Sequence, residues 1–586
     1  MKYSDHTNTF GKATRVTLNW IISLAAVTAL AACDKRAELP VPAESQAAVN
    51  SSDLILHNAQ ILTVDNKFSI AQAVAIKDGR FTAVGTNDEI LAKVGKSTRV
   101  VDLHGMTVIP GFNDTHSHAV QMGLNLPATI DISSVESIAD IQQVVAERVQ
   151  QSDAGAWIFS EGGWWEFMLS DERLPNRHDL DLVSPDNPVV LRGGHYFIVN
   201  SQALKQIGYD KNTQDPPGGE IWRDAEGEPT GFLLRAAHEP THKYFPVLER
   251  DQQLEGISQA IKRVNSWGMT SLREAGGSKD QVQMLRELYD QGRLTVRFDW
   301  AYDVDPNTPQ TEIDAVFQSL GPPGDHWGDG MFRADGLAEL FLDGAEESGQ
   351  LRGNYANRAD YHGLRLVPQD QLNMFMAAAA KYGWRPGPHA VGDASIDQAL
   401  EAFEYANSQQ SILEKRWMID HAILLQPDQY DRVKQLGLVI NAQPRHLYII
   451  GDKFIEFWGR PVAEGSYRLR DWLDNGLIVA LGADRPVSPR STPLMQITIA
   501  VTRKTGWGGV LGVGQEISRE EAIRAATATG AYTSFEENVK GTVEAGKYAD
   551  FVVLADDILT VPADTIKDIK VVATVLGGKT VYGSLP

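Results

Sequence analysis

The chain has 586 residues, 43% hydrophobic and 22% charged, with a formal charge of −22. That length exceeds what one core supports and predicts a large domain with a smaller companion. The acidic balance leaves no basic surplus to neutralise phosphates and argues against nucleic-acid binding, and the chain shows no internal repeat, coiled-coil heptad or GxxxxGK[ST] phosphate loop.

At the N-terminus, Lys12 and Arg15 precede an apolar run from Val16 to Leu30, followed by Leu30-Ala31-Ala32-Cys33. A positive region, a short apolar stretch and small residues at the cut predict an export signal over 1–32. Cys33 is the only cysteine, so an internal disulfide is excluded. Its position resembles the lipobox of bacterial lipoproteins. That likeness implies lipidation of Cys33 and membrane association, and Asp34 after it resembles an inner-membrane retention signal on the periplasmic side. Residues 33–52, rich in Ala, Glu, Pro and Ser, read as a tether.

From Leu54 to Val101 short strands alternate with tight turns, and the same idiom returns around Phe551–Leu554 and Ile569–Val575. Neither flank can bury a face alone. The expectation is one small β-sandwich built from 53–105 and from 485–586, mainly 540–586, with flanking C-terminal helices. Between them, short apolar strands alternate with amphipathic stretches, the pattern of a parallel sheet with crossover helices. Helices are expected at Ser137–Val149, Gln252–Trp267, Lys279–Gly292, Asp370–Tyr382, Ala394–Ala406 and Arg519–Gly530. Strands are expected near 106–112, 268–273, 294–299, 336–342, 384–389, 416–420, 437–441 and 476–482. Eight strands predict an α/β fold, a closed (β/α)8 TIM barrel over 106–484 with its chemistry at the strand C-termini. A large insert after the first strand, 151–245, is expected over the barrel mouth.

The polar residues at those strand ends carry the chemistry. In Gly111-Phe112-Asn113-Asp114-Thr115-His116-Ser117-His118, an extended backbone puts Asp114, His116 and His118 on one face. The other strand ends supply Glu339, His389, His421 and Asp484. Singly, each is an ordinary hydrogen-bonding residue. Together, four histidines and two carboxylates on one rim form a site for one or two divalent ions, with zinc matching the donor softness.

These motifs resemble the amidohydrolase superfamily, in its large-insert branch of N-substituted formamide deformylases and exoenzyme-regulatory proteins. The likeness rests on Gly111 to His118; on Gly194-His195 with Asn200-Ser201-Gln202-Ala203-Leu204; and on Gly218-Gly219-Glu220-Ile221 with Thr230-Gly231. It continues through Asp343-Gly344, His389-Ala390-Val391-Gly392-Asp393, Asp420-His421, Gln443-Pro444 and Leu481-Gly482-Ala483-Asp484. It implies that His116 and His118 hold the more buried metal, that His389 and His421 hold the other, and that Asp484 is catalytic and touches a metal. It also implies that His195 faces the substrate.

Two departures stand out. Family members often carry a carbamylated lysine four residues before the Asp-Gly of strand four, where this chain has Glu339. Its carboxylate either bridges two metals or ligates weakly beside one. Asp420 stands where glutamate is more common.

The expected reaction is hydrolysis of a non-peptide carbon–nitrogen bond in a small N-acyl or amide compound. Metal-bound hydroxide attacks the carbonyl, Asp484 serves as general base and then acid, and His195 assists at the oxyanion. Trp164, Trp165, Arg192, Arg445 and His446 are candidate substrate contacts. The alternatives are hydrolysis of a cyclic amide, carbamate or ester-like bond at the same site, or a lipid-anchored solute-binding protein. Dimerisation is an expectation for this architecture.

Overall fold

The computed structural model describes residues 52–162, 164, 166–193, 196–484 and 491–586. The export signal, Cys33, the tether up to residue 51, Trp165 and His195 lie outside the described residues.

Eight parallel strands form the central sheet: Phe112–Ser117, Met269–Gly277, Arg297–Tyr302, Phe332–Phe341, Arg385–Ala390, Met418–His421, Val439–Ala442 and Ile478–Leu481. They are called barrel strands one to eight below. The cylinder closes where Ser117 bridges to Asp484: the Asp484 amide donates to the His116 carbonyl at 2.7 Å, and the His118 amide donates to the Asp484 carbonyl at 3.0 Å. The crossover helices turn their apolar faces to the sheet. Helix Lys279–Asp290, for instance, starts on a Ser278/Gln281 capping box and buries Met284, Leu285 and Leu288.

Both chain ends build the small sandwich. One sheet takes Arg80–Gly85, Ala73–Lys77, Leu54–His57 and Arg99–Asp102 in that order. The other takes Lys579–Gly583, Val571–Leu576, Phe551–Leu554, Thr107–Pro110, Gln60–Leu62 and Ile70–Ala71. Their shared core includes Leu56, Ile61, Val74, Phe81, Val108, Phe551, Val553 and Val575.

Two boundaries differ from those read in the sequence. The run expected as the first barrel strand, 106–112, is divided. Thr107–Pro110 pairs antiparallel with Phe551–Leu554 in the sandwich, and the barrel strand begins at Phe112. Gly111 is the joint: a Cβ there would sit 2.1 Å from Thr270 Oγ1, so only glycine lets the chain pass from one sheet to the other. The insert also reaches back beyond 151. Its six-stranded sheet starts at Thr129–Ile130, runs through Ile158–Ser160, Val189–Arg192, Tyr196–Val199 and Pro229–Arg235, and ends at Gly219–Arg223. Helix Ile138–Gln150 covers one of its faces through Ile138, Ile141 and Val145.

Candidate metal centre and active site

Barrel closure brings the strand ends together at one rim. Glu339, near the end of strand four, is the hub. His389 Nδ1 and His421 Nε2 each lie 2.6 Å from its Oε1. His118 Nε2 lies 3.4 Å from its Oε2, and His116 Nε2 is 3.8 Å from its Oε1. Asp484 faces the same space, its Oδ1 3.4 Å from His118 Nε2 and 4.0 Å from His116 Nε2. Two overlapping donor groups result, His116/Glu339/His421 and His116/His118/Asp484, each with its donor atoms within 4.8 Å of one another.

The fit to a cation is read from His116. Its ring is fully buried, and its Nε2 has no hydrogen-bond partner, yet it points into the gap between the Glu339 and Asp484 carboxylates. An unsatisfied buried nitrogen is costly, and a divalent ion between the oxygens would satisfy it. The imidazole and carboxylate donors match borderline ions such as zinc.

Electrostatics follow from the crowding. Burial works against an ionised Glu339, but the imidazoles of His389 and His116 hold its carboxyl well below the ordinary range. Burial disfavours a charged His389, yet Glu339 lifts it to about 9. Burial and the neighbouring His389 charge instead push His421 down to about 4, leaving it a neutral donor. For Asp484, burial is outweighed by the hydrogen bond from His446 and by the Arg445 charge, so the carboxylate is ionised at neutral pH.

The supports lie one layer back. Asp420 Oδ1 stands 3.4 Å from His116 Nδ1 and accepts from Asn441 Nδ2 at 2.6 Å, while buried Arg273 approaches both Asp420 oxygens at 3.4 Å. The shorter aspartate at this position thus still reaches His116. Asp343 accepts from the Gln350, Val391 and Gly392 amides and from Ser395 Oγ, fixing the loop behind His389. His446 bridges two carboxylates, its Nε2 3.0 Å from Asp484 Oδ2 and its Nδ1 2.9 Å from Glu346 Oε1. Glu346, on the loop after strand four, escaped the sequence reading. Its only signal was a carboxylate pair, Glu346-Glu347, just beyond Asp343-Gly344. Buried Glu274, at the end of strand two, escaped it as well; it accepts from the Val120 and Gln121 amides and so holds the helical turn after His118.

The candidate substrate contacts separate. Trp164 is 1% exposed and packs in the insert core, its Nε1 donating to the Arg192 carbonyl. It does not line the mouth, because that bond and the surrounding aliphatics draw the indole inward. Arg445 is buried, donates to the Ala483 carbonyl and Ser491 Oγ, and so braces the Asp484 segment from beneath. Arg192 lies 5.8 Å from the centre of the Phe197 ring within the insert.

Residues 99–582 match the model of the Amidohydrolase family. The chain is 30% identical over 550 residues to Protein LONG AFTER FAR-RED 3 of Arabidopsis thaliana, covering 91% of this chain and 92% of that one. It is 27% identical over 542 residues to the N-substituted formamide deformylase of Arthrobacter pascens, covering 90% and 98%. An uncharacterized metal-dependent hydrolase from Pyrococcus furiosus superposes with a TM-score of 0.65 at 25% identity, covering 86% of this chain and all of that one.

Proposed function

Because the chain belongs to the amidohydrolase family and is a metal-dependent hydrolase, we propose that it cleaves a carbon–nitrogen bond in a small N-acyl or amide compound. The observation that carries this reading is the ionised Asp484 carboxylate, poised between His118 and His446 at the edge of the donor cluster. His116, His118, His389, His421 and Glu339 would hold two divalent ions, zinc by donor type, with Glu339 shared between them. Ions in that place lower the pKa of water and withdraw electron density from an acyl carbonyl. Asp484, ionised at neutral pH and so free to accept, would take the proton of the attacking water and return it to the departing amine. His446 holds Asp484 Oδ2, and Glu346 in turn holds His446, so the carboxylate keeps one orientation through both transfers. His195 is proposed to assist at the developing oxyanion.

Substituting Asp484→Asn tests this. On a panel of N-acyl amino acids and simple amides, kcat is expected to fall by about 10²–10⁴-fold while elemental analysis still finds bound metal. Full activity in that variant would remove Asp484 from proton transfer. The same panel, extended to cyclic amides, carbamates and esters, separates the alternative hydrolyses. Metal-loaded protein that binds these compounds but turns over none of them would instead be a solute-binding protein.

We further propose that the enzyme is exported and anchored through lipidated Cys33, a reading supported by the apolar run and Leu30-Ala31-Ala32-Cys33. Labelled fatty acid fed to a bacterial host should enter the wild-type protein and leave Cys33→Ala unlabelled. The variant should also move out of the membrane fraction. Equal labelling of both would sink the proposal.

A further inference from the structure

Phe341 closes barrel strand four and lies in register with His389 of strand five. Its neighbours Leu340 and Leu342 are fully buried, as strand-end aliphatics facing the helices should be. Phe341 turns the other way, onto the face it shares with Glu339, and is 49% exposed. Its ring sits 4.7 Å from that of His389, at an interplanar angle of 32°. An aromatic serving only to wedge His389 would be packed on both sides. This one keeps an open apolar face at the end of the barrel where the chemistry takes place.

The surroundings extend that face. Leu366 donates its amide to the Leu342 carbonyl at 2.9 Å, just past the end of strand four, and Leu364 to the Ser348 carbonyl at 2.8 Å on the loop that follows. Both leucines are exposed, at 38% and 42% for Leu364 and Leu366. Phe341 and Leu366 thus both leave large apolar side chains exposed at the end of strand four, and apolar walls beside a few convergent polar groups are the make-up of ligand pockets.

Ring contacts connect this wall to the proton-transfer group. His446 lies 5.3 Å from His421, His421 lies 4.4 Å from His389, and His389 lies 4.7 Å from Phe341. Asp484, hydrogen-bonded to His446, marks one end of this row, and Phe341 marks the other. The departing amine must be at Asp484 to receive its proton. With the amine there, the side of the site left for the substituent across the carbonyl includes His389 and Phe341. We infer that Phe341 is the specificity-determining platform for the acyl group, and that the substrates are N-acyl compounds whose acyl part is flat and apolar, such as an arylacyl amide. This inference rests on the carbon–nitrogen hydrolase reading and adds which side of the bond carries the apolar group.

The metal-loaded enzyme is assayed with N-phenylacetylglycine against N-acetylglycine, a pair differing on the acyl side. A second pair, N-acetylphenylalanine against N-acetylglycine, differs on the amine side. Wild type should prefer the phenylacetyl compound in kcat/KM by about tenfold or more, the scale on which apolar pockets discriminate. Phe341→Ala should lose that preference through KM, Phe341→Tyr should keep it, and the amine-side ratio should be the same in all three proteins. An acyl-side preference that is absent in wild type, or intact in Phe341→Ala, overturns the platform. So does an amine-side ratio that moves with Phe341. Calorimetric titration with phenylacetate and acetate keeps the two proposals apart. If no amide is hydrolysed but phenylacetate binds more tightly than acetate in a Phe341-dependent way, the platform stands and the carbon–nitrogen reading falls. If amides are hydrolysed without regard to Phe341, only the platform falls.

Discussion

Glu339 decides the charge of the centre. One carboxylate stands within 3.8 Å of nitrogens from His116, His118, His389 and His421, so among the described residues it alone is in reach of both halves of the donor set. Replacing it with glutamine keeps the size and removes the charge. Glu339→Gln is expected to bind one ion per chain where wild type binds two, counted by elemental analysis, and to lose activity about 10–100-fold or more, the scale of perturbed ligand shells. Two ions retained in the variant would show that Glu339 does not bridge. His116, His118, His389, His421 and Asp484 were legible in the sequence because each follows an apolar run, and a barrel gathers whatever its strands end in. Glu346 was not, because it sits on an irregular loop where no periodicity marks which side chain turns inward. Whether Trp164 packs in the insert or meets a ligand is open in the sequence, because nothing local reveals that its N–H is taken by the Arg192 carbonyl.

At the level of elements, the eight strands and their order could be read from apolar runs separated by amphipathic stretches, but two adjacent runs were merged. Thr107–Pro110 and Phe112–Ser117 are one β-branched segment in sequence and two sheets in space, divided only by the contact of Gly111 with Thr270. Helix Pro493–Thr502 went unread because it is apolar almost all round and buried from Pro493 to Ala500, which removes the polar face that betrays a helix. The attachment of the insert to the barrel carries its own pH signature. Arg263, on the helix before strand two, contacts Glu161 at 3.1 Å and Asp131 at 3.2 Å, both from the insert. Burial pushes the Glu161 carboxyl up to about 7 from its ordinary 4.5, against the pull of Arg263 and with the help of Asp131. The folded chain thus holds this proton more tightly than the unfolded one, so stability falls as pH rises from about 4.5 to 7. Melting temperatures across that window should decline less in Glu161→Gln than in wild type. Parallel slopes would show that Glu161 titrates normally.

In the whole molecule, the sandwich is bound to the base of the barrel by an ionic and aromatic seam. Arg297 of strand three pairs with Asp550 at 2.7 and 3.1 Å, and its guanidinium lies 4.0 Å from the centre of the Tyr548 ring. Arg80, from the N-terminal flank, lies 4.1 Å from the same ring. Both chain ends and the barrel thereby share one cluster, so the small domain is a continuation of the large one. That both flanks meet was legible from their common strand-and-turn idiom. Their attachment was not, because Arg80, Arg297 and Tyr548 are ordinary residues until the fold brings them together.

The bond that closes the barrel has a consequence in time. Asp114 Oδ1 accepts from the Ala483 amide across 369 residues of sequence, and the Ser117–Asp484 bridge lies beside it. Everything up to strand seven can be synthesised while the His116–His118 edge still lacks its neighbour, since closures this remote come late and slowly. Hydrolytic capacity is therefore among the last properties the growing polypeptide acquires. A nascent or prematurely terminated chain carries the histidines but no Asp484 beside them, and so has no reaction to run.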